Sequence, residues 1–171
     1  QTRRVTRCSN VISSRQVNSM VRAFSLTSES LAYFIGFSLL HSDRVIIVSP
    51  WLSDVTLRLP VNDRFDDREV TLLEALEELT DKDVQLLVRE GESHNDYIRD
   101  RLPEHVVMQE IDDLHAKAVV CDSFVYMGSA NITHGGLTLN RELCEVLENE
   151  YGSAEEYVEE KLGLDATSAI T

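Results

Sequence analysis

Apolar residues recur along this chain with two different periods, and the switches between them lay out its elements. Val17, Met20, Val21 and Phe24 have helical spacing, and a second helix is predicted from about Ser28 to Leu40. The apolar stretch Leu31–Leu40 within it is broken by His41-Ser42-Asp43-Arg44 and is far shorter than the ~20 residues a bilayer demands, so it reads as a buried helix. It feeds a strand at Arg44–Ser49. A helix over Glu69–Thr80 carries Leu72, Leu73, Leu76 and Leu79 on one face, and another runs from roughly His94 to Leu102 with Ser93 as its N-cap. Strands at Val84–Val88 and His105–Gln109 fall between these helices. Ala116–Cys121 and Phe124–Met127 read as two short strands around an Asp122-Ser123 turn. A strand at Glu142–Leu147 follows, and a last helix opens at Ser153, where Glu156 can complete a capping box. Strands alternating with helices predict an α/β fold, and 171 residues without internal repeat or low-complexity tract predict one domain spanning 1–171. The long charged loop from Pro50 to Arg68 follows the carboxyl end of a strand, where ligands bind in α/β sheets. Trp51 within it is expected in the core or at an interface, with stacking on a base or a sugar as the second reading.

Chemistry concentrates between Leu114 and Glu142. A strand period of two puts His115 and Lys117 on one face, an imidazole that can attack or donate a proton beside an ammonium that can hold a phosphate oxygen. Gly128 lets backbone approach a ligand, while the Ser129 hydroxyl and the Asn131 amide add neutral donors. Glu142 can accept a hydrogen bond from the second ring nitrogen of His115 and fix its tautomer. Taken singly these residues mean little: a lone histidine is usually structural, a lone lysine is usually solvated, and Asp122 is as well explained by turn chemistry as by a positioning role. Jointly they describe a site for a phosphate-like anion.

The order His115-x-Lys117, four residues, Asp122, then Gly128-Ser129-x-Asn131 and a later Glu142 resembles the signature of the phospholipase D superfamily. Five residues, Ser123 to Met127, separate Asp122 from Gly128 where the family pattern has about six, which a shorter hairpin accommodates. The likeness is strongest over Leu114–Glu142 and looser at Arg44–Trp51, where a strand runs into Ser-Pro and an aromatic. It implies a mixed β-sheet flanked by helices on both faces. It also implies hydrolysis through a phosphohistidine, with one histidine as nucleophile, a second as acid and then base, and neither metal nor cofactor. That mechanism needs two motifs, and none of His41, His94, His105 and His134 is followed by lysine two residues on. A homodimer with one shared site across its two-fold axis is therefore expected. Single-motif members include small bacterial nucleases, which points to nucleic acid, DNA ahead of RNA. The order of elements also resembles the phospholipase-D-like component of clusters that insert 7-deazapurines into DNA and restrict unmodified DNA, which would add partner proteins of a defence system. A phospholipid hydrolase or phosphatidyl transferase would use the same residues but calls for a basic amphipathic surface, which the sequence does not display. A silent nucleic-acid-binding subunit would not need His115, Lys117, Asn131 and Glu142 intact.

Charge alters this picture. The formal net charge is −14, with lysine only at 82, 117 and 161. Such acidic excess suggests a halophilic cytoplasm, in which screening over ~3 Å at 1 M salt keeps remote carboxylates from opposing a phosphate in the site. Residues 1–28 hold five arginines and no acid, so the rest carries −19; residues 1–14 form a basic arm that can track a nucleic-acid backbone or pack on a partner. The N-terminus lacks a hydrophobic signal core, and no membrane association is expected. Cys8, Cys121 and Cys144 suit neither a disulfide framework nor a zinc site.

Overall fold

The computed structural model describes residues 24–25, 28–139 and 142–166. The expected basic arm, Cys8 and the helical positions Val17, Met20 and Val21 lie outside them. The described chain runs β1 (Phe24–Ser25), α1 (Ser28–His41), β2 (Arg44–Val48), β3 (Thr56–Arg58), β4 (Glu69–Thr71), α2 (Leu72–Glu78), β5 (Asp83–Arg89), α3 (Asp96–Arg99), β6 (Val107–Ile111), β7 (Ala118–Cys121), β8 (Phe124–Gly128), β9 (Cys144–Glu148) and α4 (Ala154–Leu162).

Seven of these strands form one mixed sheet in the order β1-β9-β8-β7-β2-β5-β6. Central β2 pairs parallel with β5 and antiparallel with β7. Its uninterrupted Val45-Ile46-Ile47-Val48 suits a strand buried on both sides. The pleat sends Val45 and Ile47 to one face, against Leu31 and Ile35 of α1, Leu72 and Leu76 of α2 and Ile98 of α3. Ile46 and Val48 face the other way, against Ala154, Tyr157 and Val158 of α4. Each fully buried Leu or Ile contributes about 1.5–3 kcal/mol, so both layers hold the sheet. On the α4 face a polar ladder replaces apolar packing: Arg44 donates to buried Gln85 at 2.7 Å, and Gln85 donates to Gln109 at 3.1 Å. Arg44 also pairs with Asp83 and with Glu155 of α4, tying the helix to the opening of β2.

The mixed sheet with helices on both faces matches expectation, and several boundaries do not. Phe24, expected in a helix, pairs with Val146 in β1, because β9 offers it an open edge. The segment Pro50–Arg68 is not all loop: Thr56–Arg58 pairs with Glu69–Thr71. The β-branched Val70 and Thr71 take extended backbone, so the helix expected from Glu69 starts at Leu72. Thr71 then caps it in a full capping box with Glu74, over 3.2 and 2.7 Å. The helix expected over His94–Leu102 shrinks to a 3-10 turn at Ser93–Asn95 followed by α3, and Ser93 does not cap it. The later strands shift by about two residues, to Val107–Ile111 and Cys144–Glu148. Ser153 caps α4 through Glu156 N–H as expected, but the Glu156 carboxylate accepts from Gly152 N–H at 2.7 Å, one residue short of a box. Cys121 and Cys144 are buried free thiols, the latter 3.3 Å from the Tyr126 hydroxyl.

Candidate active site

Strand direction decides where the chemistry gathers. β2 and β5 run parallel and leave the sheet at the same end, antiparallel β7 enters there, and β8 returns to it. Pro50 and Trp51 after β2, Arg89 closing β5, His115–Lys117 before β7, Gly128 closing β8 and Ser129 and Asn131 after it thus line one open cleft of about 610 Å³. Its walls are fastened by polar contacts. Ser49 Oγ donates to the Trp51 carbonyl at 2.7 Å and accepts from Ile132 N–H at 3.0 Å. Fully buried Asn95 donates to the Pro50 carbonyl at 3.0 Å and accepts from Leu52 N–H at 2.9 Å. A buried amide with both ends paired resists movement, because breaking either bond leaves a group unsatisfied at a cost of ~1–3 kcal/mol.

β7 begins at Ala118, so His115 and Lys117 occupy its extended lead-in rather than the strand itself. Both still line the cleft, and Lys117 Nζ donates to the His115 carbonyl at 2.9 Å. The imidazole is exposed, open to a reacting group. Burial pulls the Lys117 ammonium below the ordinary lysine range, and the charge of Glu142 opposes that pull. The expected bond from Glu142 to the His115 ring is not formed. Glu142 accepts instead from Ser129 Oγ, which also accepts from Leu143 N–H at 3.0 Å. The Ser129 hydroxyl proton is thereby committed to Glu142, and Glu142 meets Lys117 through charge. Asn131 lines the cleft, with its Oδ1 buried and without a hydrogen-bond partner among the described residues. An unpaired buried acceptor is uncommon in a folded chain.

Three other expected residues land differently. Gly128 lines the cleft, yet its lack of a side chain is set by packing: a Cβ there would come within 2.5 Å of the Leu143 carbonyl and the Tyr126 hydroxyl. Asp122 lies at the hairpin turn, one strand length from Lys117, and its carboxylate accepts from Ala154 N–H at 2.9 Å. It sits in the turn that turn chemistry favours, adds a cap to the first N–H of α4 beside Ser153, and lies outside the cleft. Trp51 is no core residue; it is 40% exposed on the cleft wall.

Comparison with known proteins places this fold in a family. The family described as cardiolipin synthase, PLD-like domain, matches residues 44–162, from the first residue of β2 to the last of α4. The chain belongs to this phospholipase D-like family. Its PLD-like fold resembles a phospholipase D family member, Nuc from Salmonella typhimurium, at 16% identity and a TM-score of 0.54, over 82% of this chain and 90% of that one. NucT from Helicobacter pylori is similar at 11% identity and a TM-score of 0.51, over 75% and 86%. No curated protein matches the chain in sequence.

Sequence reasoning missed Arg89, Ser49 and Asn95. Arg89 was legible in principle, as the last residue of a strand parallel to β2, at the edge where ligands bind. Asn95 gave no such signal, because its partners Pro50 and Leu52 are remote in sequence.

Proposed function

We propose that this protein is a metal-independent phosphodiesterase acting on nucleic acid, DNA ahead of RNA, as a homodimer with one shared site. The observation that carries the reading is the meeting of His115, Lys117, Ser129 and Asn131 in a single cleft. His115 attacks phosphorus, forming a P–N bond as the P–O bond to the leaving oxygen breaks. That oxygen takes a proton from His115 of the partner subunit. The same partner imidazole then removes a proton from water, and the resulting hydroxide attacks phosphorus and breaks the P–N bond. Lys117 and the Asn131 amide steady charge on the equatorial oxygens; Glu142 keeps Lys117 cationic and holds the Ser129 hydroxyl. Supporting residues have separate tasks: Trp51 forms the wall and Gly128 allows β8 and β9 to close. A place among the proteins of a DNA modification and restriction cluster fits such a nuclease, with partners supplying target choice. None of the described helices is long and apolar enough to cross a membrane.

The test is cleavage of single- and double-stranded DNA in molar salt with EDTA by the wild type and by His115→Ala. Cleavage that survives EDTA and disappears in the variant supports the reading; equal cleavage by both refutes it. The family description favours a second reading, a phospholipid hydrolase or phosphatidyl transferase using the same residues. Anionic phospholipid vesicles in place of DNA decide between them.

A further inference from the structure

Among the described residues Lys117 and Arg89 bring positive charge to the cleft lining, and only Lys117 belongs to the motif. The second, Arg89, has its guanidinium 3.6 Å from Glu92 and 3.9 Å from Asp113, outside hydrogen-bond range. By contrast Arg44 and Arg64 bind carboxylates through direct bonds of 2.8 and 2.9 Å. Among the described residues the fork of N–H donors on Arg89 is thus held near the cleft by charge without a direct hydrogen bond to a carboxylate, which suits a planar oxyanion. Trp51 shares that wall with part of its ring surface in solvent. An open cation and an open indole on one wall are more than one phosphodiester held by Lys117 employs, the Arg89 side chain being 37% exposed and Trp51 40%. A second phosphate beside a flat, unstacked ring explains both, and a phospholipid headgroup offers no such ring.

We infer that Arg89 and Trp51 form a subsite for the nucleotide flanking the scissile linkage, Arg89 holding its phosphate and Trp51 stacking its base, so that the substrate is a single strand. The inference rests on the phosphodiesterase reading of the same cleft. Duplex DNA is a poorer fit, because its bases are stacked on each other and cannot reach an indole.

The experiment compares two substrates: a single-stranded thymidine decamer and the dinucleoside monophosphate thymidylyl-thymidine, which has one phosphate. Arg89→Gln should lower kcat/KM on the decamer at least tenfold more than on the dinucleotide, chiefly through KM, and Arg89→Lys should recover part of the loss. In the His115→Ala background, where binding is read without turnover, Arg89→Gln should flatten the dependence of log affinity on log salt by about one contact. Trp51→Ala should weaken decamer binding on the order of tenfold. Equal losses on both substrates, an unchanged salt slope, or duplex cleaved as fast as the single strand would overturn the subsite. A wild type that cleaves the dinucleotide but not the decamer overturns it too and leaves the phosphodiesterase standing, whereas one that cleaves neither removes both.

Discussion

The two ends of β7 carry residues of the same motif and do opposite things. At the hairpin end Asp122 accepts from Ala154 N–H, and the Asn149 amide donates to the Cys121 and Ser153 carbonyls and accepts from Tyr151 N–H. At the other end the His115 ring is exposed, Asn131 Oδ1 is buried without a partner among the described residues, and Arg89 stops short of its carboxylates. Saturated polar groups hold a fold, because nothing remains for a ligand to satisfy. Open cations and rings are free to meet a ligand, which is where this end of the strand differs from the other. Asp122 looks equivalent to His115 and Lys117 in a line of sequence and is divided from them by the length of one strand.

Substitutions at each end test that division. The largest effect belongs to His115→Ala, which should lower turnover by ~10²- to 10⁴-fold or more with an unchanged melting temperature, since the side chain is exposed; a matching loss of stability would mean that the imidazole is structural after all. Lys117→Met should cost on the order of 10²-fold in kcat. The pH profile sharpens this. Lys117 works as a cation, so its contribution is present at lower pH and lost as pH rises through a pKa that burial has lowered. The alkaline limb should therefore lie below the usual lysine value, and Glu142→Gln, which removes the charge that opposes burial, should move it lower still; a limb moving upward would contradict the assignment. Gly128→Ala should destabilise by about 1–3 kcal/mol, read from chemical denaturation, because the Leu143 carbonyl and Tyr126 hydroxyl leave no room for a Cβ. Smallest is Asp122→Ala at the saturated end: about 1 kcal/mol, or ~2–4 °C in melting temperature, with turnover per folded molecule kept. A turnover collapse there would erase the distinction between the two ends.

Much of the fold was legible because it is written in short-range patterns. The buried face of α2 followed from Leu72, Leu73, Leu76 and Leu79, all of which are buried, and the β7–β8 hairpin followed from two apolar runs around Asp122-Ser123. What failed failed locally for nonlocal reasons. Glu69–Thr71 left the helix because Thr56–Arg58 was there to pair with it, and Phe24 became a strand residue because β9 presented an edge. The π turn at Gly135–Leu139 had no periodic signal; Gly136 sits so close to the Asn131 backbone that any side chain would collide with it.

Sequence by itself determined the α/β class, the order of the main elements and the group His115, Lys117, Ser129 and Asn131, since these depend on hydrophobic period and on spacing within one hairpin and its flanks. Tertiary structure alone decided that Asp122 caps a helix, that Glu142 binds Ser129 in place of His115, and that Trp51 and Arg89 join the cleft. Those outcomes depend on which strand ends meet, and hydrogen bonds, Coulomb forces and desolvation act over a few ångströms of space however many residues of chain intervene.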